Sequence, residues 1–390
     1  MIKKLLPHIA DMDKWVLAMI WPSLVWMPQV TSVFIILFVL LLLLKNKLSF
    51  FFKSGISALM LMLYYGVSWM SLLWSTDVAS GLFDLEVKLS LLVFPLIIGF
   101  SKYTRADIEK QIFIGIQMLT IVLSVLIIRF LFYALLMHQI LSYTEFSLEL
   151  HPTYLSMYCI FALSYIWFHS KDKHFIYSSI LFISIILSAS KAGLIALIGI
   201  LIYYLLQKYR LYALIGLLFM SIGLYYILFK TNYLQFISDR VKTTKEVLEK
   251  AWTHQPLPIE TNSIRLFAWT SAIESIQKNL WIGVGVGDTR HELNRVYSAK
   301  NLSLLSAKNI NAHNVFLQIA LATGMLGLLP FLAAILLILL ESLQKKMVFI
   351  SVFMIVQSLI LFNTESILDT QAGTIFTGLT YALFSKYLVL

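Results

Sequence analysis

LYALIGLLFMSIGLYYILFKTNYLQFISDRVKTTKEVLEK, residues 211–250, changes character at Lys230. Up to that point the run is apolar enough for a hydrocarbon core; beyond it the chain stays hydrophilic as far as Ala312. Helices in a bilayer offer little chemistry at their lipid faces, so a long polar insert between apolar runs is where substrate chemistry belongs. That insert holds Arg265 and the run GVGVGD at 283–288, and His313 stands at its exit.

Outside the insert the sequence is almost continuously apolar. Hydrophobic residues make up 59% of the 390 positions and charged residues only 13%, with a mean hydropathy of +0.84, which excludes an ordinary soluble domain. The fold class that follows is all-α: a polytopic helical membrane protein. The net charge of +10 does not indicate nucleic acid, because the cations fall in short clusters at the ends of apolar runs instead of forming a stripe with interleaved aromatics. Cys159, the single cysteine, lies within an apolar run, so the polar insert holds no disulfide. The first apolar run begins at Trp15 without a small-residue cleavage site and reads as a retained span.

Runs long enough to cross, or nearly cross, a hydrocarbon core of about 30 Å occur at 15–27, 30–44, 57–73, 87–100, 111–137, 153–168, 175–187, 192–206, 211–229, 325–340, 348–362 and 372–388, about twelve spans. The chain divides accordingly into spans one to nine (1–229), a large helical loop (230–323) and spans ten to twelve (324–390). The first two windows read as a hairpin and not as one long helix kinked at Pro22 and Pro28. A hairpin puts Lys3, Lys4 and Lys14 on the same side as Lys45, Lys47 and Lys53. With that parity the cytoplasmic side receives Lys102, Arg105, Lys110, Lys171, Lys173, Lys208, Arg210, Lys345, Lys346 and Lys386. The opposite short loops, 75–86, 138–152, 188–191 and 363–371, have Lys191 as their only cation. Both termini are then cytoplasmic and the large loop lies outside, where a cytoplasmic nucleotide cannot be its substrate.

Within the loop, 238–252 has an amphipathic, charge-laced helical pattern that HQPLPIETN ends. Asn262 or Ser263 then caps a helix to about Gln277, with Arg265 in its first turn, where the helix dipole mildly disfavours a cation. Gly283, Gly285 and Gly287 fit either a phosphate cradle or a tight turn that lets two helices approach; a dinucleotide fingerprint would need a βαβ unit. Asp11-Met12-Asp13 matches the acidic pair of metal-dependent sugar transferases but has no domain around it and reads as chance. No clustered metal-ligand spacing is present, so neither metal nor cofactor is implied. Arg129, inside the fifth span, is either functional or snorkels to the interface. His313, at a helix start near the membrane surface, is placed to act as a base or simply as a satisfied polar residue, and Asn314 caps the helix that follows. The rival bases are Glu260, Asp288 and Glu292.

Three segments taken in order carry a resemblance: SASKAGLIAL (188–197), SIRLFAWTSAIESIQKNLWIGVGVGD (263–288) and NAHNVFLQIALATGMLGLL (311–329). The sequence resembles the O-antigen ligase and Wzy polymerase superfamily, whose members carry a small-Ser-Arg-small motif before one span. They also have an Arg followed by Trp and a Gly-Val-Gly turn in a large periplasmic loop, and a His-Asn pair at its end. Lys191 stands where that pattern has arginine, keeping the charge and losing the bidentate fork.

The resemblance implies a glycosyltransferase of the bacterial inner membrane that moves a glycan from an undecaprenyl diphosphate carrier to an acceptor hydroxyl on the periplasmic face. The acceptor is lipid A-core for a ligase, the favoured reading, or another carrier-linked glycan for a polymerase. A lipid-linked glycan transporter or flippase is the alternative of another class. A lipid diphosphate is already a good leaving group, so catalysis needs cations for its charge and a base for the incoming hydroxyl. Arg265 and Lys191 are expected to supply the first and His313 the second, with Arg129, His151, Tyr154 and Arg290 contributing to substrate binding.

Overall fold

The computed structural model describes residues 12–139, 141–170, 174–209 and 261–390, and among these it is helical, with no strand beyond an isolated bridge between Leu48 and Ser101. In chain order the longer helices are α1 (Met12–Trp26), α2 (Pro28–Leu44), α3 (Ile56–Met70), α4 (Val78–Lys88), α5 (Ser90–Phe100), α6 (Arg105–Leu136), α7 (Pro152–Phe168), α8 (Phe175–Leu187) and α9 (Lys191–Tyr209). They continue as α10 (Thr261–Lys278), α11 (Thr289–Ala299), α12 (Val315–Gln344), α13 (Val348–Val356) and α14 (Gln371–Val389). The apolar window 211–229, the amphipathic pattern 238–252, Glu260, and the cations Lys3, Lys4, Lys171, Lys173 and Arg210 lie outside the described residues, as does Asp11.

Four of these helices are long and apolar enough to cross a membrane: Ile56–Leu73, Arg105–Leu136, Lys191–Lys208 and Val315–Gln344. Pro28–Leu44, Phe175–Leu187 and Val348–Thr364 are shorter apolar helices. Local chemistry sets many of their starts. Thr104 and Asp107 form a reciprocal capping box before α6, and prolines occupy the first position of α2 and α7, where the missing N–H costs nothing. Pro22, Pro95 and Pro330 lie inside helices, a placement that neighbouring helices make tolerable in a membrane.

Two separate cores result. The larger runs through the bundle around Trp21, Phe161, Phe353 and Phe376, with Trp21 stacked on Phe161 at 4.7 Å between centroids. The smaller belongs to the polar insert, where Ala272, Leu293, Tyr297, Leu305 and Ala312 close over Leu321 of α12. The described part of the insert is thus a small folded unit seated on the bundle.

Charged contacts sort the bundle into two ends. At one, the Asp13 carboxylate accepts from Lys45 at 3.0 Å, Lys47 at 2.8 Å and the Tyr103 hydroxyl at 2.7 Å. Nearby, Arg105 donates to the Tyr387 carbonyl at 3.1 Å and Lys386 to the Ser101 carbonyl at 2.9 Å. The first two helices are therefore a hairpin, as the cations require, and Asp13 is a buried structural anchor for the lysines that follow it. At the other end lie the His313, His151 and Asp288 contacts described below.

The glycine run joins insert to bundle. Gly324 interrupts α12 with φ 60° and ψ −158°, and the helix carbonyls and amides freed by the break are exchanged with the preceding turn. Val284 and Gly285 donate to the Leu321 and Ala322 carbonyls, both at 2.9 Å, while Met325 and Leu326 donate to the Leu280 and Trp281 carbonyls at 2.9 and 3.1 Å. A Cβ at Gly324 would stand 2.3 Å from the Trp281 carbonyl carbon, and the conformation is essentially restricted to glycine. Gly324→Ala is expected to lose about 1–3 kcal/mol from backbone strain alone, and more from the clash. Thermal unfolding of the purified variant in detergent measures this, and an unchanged midpoint would contradict it.

Candidate active site

The GVGVGD run is the first candidate that the structure decides. Its amides are committed to the protein: Gly283 to the Asn279 carbonyl, Val284 and Gly285 to α12, and Asp288 to the Gly285 carbonyl. Val286 and Gly287 donate to the hydroxyls of Ser71 and Ser75 at 3.2 and 3.3 Å. The Asp288 carboxylate accepts from the Thr76 amide at 2.7 Å, the Thr76 hydroxyl at 2.8 Å and the Asp77 amide at 2.9 Å. With its donors used this way the loop has none to offer a phosphate. It is the tight approach and not the cradle.

His313 lies in a short linker between the two cores, one residue before the cap of α12. Asn314 accepts from the Phe316 and Leu317 amides at 2.9 and 3.0 Å, which is the capping role expected of it. Its own amide nitrogen donates to Asn363 Oδ1 at 3.0 Å, and its backbone N–H donates to Ser366 Oγ at 3.2 Å. Those two partners belong to the segment between α13 and α14. There a π-helical turn, Gln357–Leu361, ends α13, and Asn363 Nδ2 takes up its Ser358 and Leu359 carbonyls at 2.8 and 3.1 Å.

This clasp delivers Glu365 to His313. The imidazole Nδ1 stands 3.1 and 3.2 Å from the two carboxylate oxygens, a distance at which an N–H at Nδ1 donates to the carboxylate and leaves Nε2 as the ring's acceptor. Glu365 is 6% exposed. Burial raises its carboxyl, but the His313 hydrogen bond and the charges of His313, His151 and Arg265 outweigh this and hold it below the usual carboxylate range.

His151 reaches the same carboxylate from another direction, with Nε2 3.6 Å from Glu365 Oε2. Its Nδ1 accepts from the Thr153 amide at 3.4 Å, capping α7. Tyr154 follows it, with ring centroids 5.5 Å apart. Arg265, one turn into α10, is half-buried and faces the cluster closely enough for its charge to act on both Glu365 and His151. Among the described residues no acceptor lies within hydrogen-bond reach of its guanidinium, so its charge is compensated only through space.

Of the residues expected from the sequence, His313, Arg265, His151 and Tyr154 are therefore gathered around Glu365. Lys191 is exposed in the first turn of α9, on the same end of the bundle. The preceding Ser190 hydroxyl lies 3.4 Å from that of Thr153, two residues from His151. Arg129 is turned elsewhere: it donates to the Glu145 carbonyl at 3.2 Å and lies over Tyr133, 5.9 Å from the ring centroid. Arg290 is exposed in the first turn of α11. Of the rival bases, Asp288 caps Thr76 and Asp77, while Glu292 accepts from Arg295 at 2.7 Å and from Ser275 at 2.9 Å.

Glu365 is the site residue that sequence reasoning missed. A signal was present: the short loop 363–371 holds Glu365 and Asp369 between two apolar runs, on the side of His313 by span parity.

The fold and this cluster define a helical membrane protein that presents a histidine–carboxylate pair beside an arginine at one end of its bundle. Residues 176–332 match the family model Wzy_C, O-antigen ligase. The match supports the likeness to the O-antigen ligase and Wzy superfamily that the three motifs carry. The match contains Lys191, Arg265 and His313, and ends before Glu365. No curated protein matches the chain.

Proposed function

We propose that the chain is a metal-independent glycosyltransferase of the O-antigen ligase type, spanning the bacterial inner membrane about twelve times. It moves a glycan from an undecaprenyl diphosphate carrier to an acceptor hydroxyl, lipid A-core, on the periplasmic face. The observation that carries this reading is the His313–Glu365 pair beside Arg265, at the end of the bundle where the short loops are nearly free of cations. Both termini belong to the opposite, cation-rich end and are cytoplasmic. The loop 230–323 is periplasmic and stands between spans nine and ten.

In the reaction the acceptor oxygen attacks the anomeric carbon. The bond from that carbon to the carrier diphosphate breaks with its electron pair leaving on the phosphate oxygen, and the acceptor proton passes to His313 Nε2. Glu365, already bonded at Nδ1, stabilises the imidazolium that forms and keeps Nε2 turned outward. Arg265 and Lys191 hold the charge that grows on the departing diphosphate. His151 and Tyr154 line the same rim and contact substrate, while Arg129 and Arg290 bind the extended glycan farther out.

The test is transfer by the purified protein in lipid nanodiscs, given carrier-linked donor and lipid A-core. Formation of the new glycosidic linkage with release of free carrier diphosphate is expected. Passage of intact donor across a bilayer with no change of linkage would instead make the protein a transporter. A product built only on carrier-linked acceptor would make it a polymerase.

A further inference from the structure

His313 has φ 45°, the left-handed region that a residue with a Cβ leaves unless its surroundings impose it. The imposing contacts are identifiable. The His313 N–H donates to Asn311 Oδ1 at 3.1 Å, and the amides on either side donate to Gln318 Oε1 and Ser366 Oγ, both at 3.2 Å. Asn311 is in turn fixed from behind, because its Nδ2 donates to Asp369 Oδ2 at 2.9 Å. A side-chain amide has one accepting end, so the partner that takes Nδ2 decides that Oδ1 faces His313.

Asp369 has an unusual setting for that task. Its second oxygen, Oδ1, is sealed from solvent and has no hydrogen-bond partner among the described residues. The carboxyl faces Lys88, Asp84 and Glu365 and borders the same small gap as Tyr64 and Gln318. Burial pushes it up to about 7, so near neutrality a large share carries a proton and still accepts from Asn311 through the other oxygen.

We propose that Asp369 is a positioning residue for the transfer reaction: through Asn311 it holds the His313 backbone in the left-handed conformation from which the ring reaches Glu365. The inference rests on His313 being the base; the conformational link is testable without it. Asp369 touches neither substrate nor the reacting atoms. Its effect belongs to kcat, since orienting a base matters in the transition state and not in donor binding.

The experiment compares wild type, Asp369→Ala, Asp369→Asn and Asn311→Ala by two measurements. One is steady-state transfer. The other is the rate at which diethyl pyrocarbonate modifies His313, located by peptide mass spectrometry. Asp369→Ala and Asn311→Ala are expected to lower kcat by roughly tenfold or more, the scale of a misaligned catalytic group, with donor KM little changed and His313 modified faster. Asp369→Asn, a neutral acceptor, should restore both readouts, which a merely destabilising loss would not do. Should Asp369→Ala fail to fold, Asn311→Ala carries the comparison with Asp369→Asn. Unchanged kcat and unchanged His313 reactivity in the alanine variants would overturn the proposal. If the wild type transfers nothing but His313 reactivity still follows the alanine and asparagine pattern, the positioning link stands and the glycan-transfer reading falls.

Discussion

Replacing His313 by alanine is expected to leave a folded, donor-binding protein whose transfer rate falls by about 10²–10⁴-fold, the usual worth of general-base assistance. The fold should survive because the backbone contacts of this segment come from Asn311, Asn314, Gln318 and Ser366, and not from the imidazole. Glu365→Gln tests the same machinery from its other half. An amide in place of the carboxylate can accept at His313 Nδ1 but does not stabilise an imidazolium, so a loss of about 10²-fold is expected. The two losses should not add, since each disables one unit. Comparing single and double variants for transfer, with donor binding measured separately, checks this. Normal transfer by His313→Gln would move the role of base to another group.

Arg265→Ala is expected to remove about 2–4 kcal/mol of transition-state stabilisation, the scale of one preorganised charge donor. Protein abundance should hardly change. A structural arginine has acceptors for its donors, whereas among the described residues Arg265 has none within reach and is balanced only by the charge of Glu365 across the cluster. Such an arrangement leaves the guanidinium fork open for a bidentate anion. Lys191→Arg should be tolerated or beneficial, because the fork suits phosphate better than a point charge and the side chain is exposed at the start of α9. Transfer kinetics of both variants at matched abundance are the measurement. Near-normal transfer by Arg265→Ala would show that the diphosphate is held elsewhere.

Local pattern carried a good deal of this. The helix expected to run to about Gln277 is α10, Thr261–Lys278, but it begins before Asn262 and Ser263, so neither is the cap that the sequence suggested. The Asn314 cap and the hairpin of α1 and α2 could each be read from a few neighbouring residues, because capping and cation placement act within a turn or at one span end. The two readings of the glycine run could not be separated that way. Its partners, Ser71, Ser75 and α12, come from distant parts of the chain, and only they reveal that the amides are spent on protein contacts.

By itself the sequence determined the class of the molecule, an apolar helical bundle with a polar insert. It also picked out His313 and Arg265 as the residues of that insert to watch, because hydropathy and order along the chain are one-dimensional quantities. Tertiary structure alone decided what those residues face. Glu365 lies 52 residues beyond His313 in the chain and meets it at 3.1 Å. Asp13 is held by Lys45 and Lys47, and Arg129 donates one hydrogen bond to the Glu145 carbonyl. Chemical role depends on the partner within a few ångströms, and that partner is fixed by how helices pack, which no local pattern along the chain encodes.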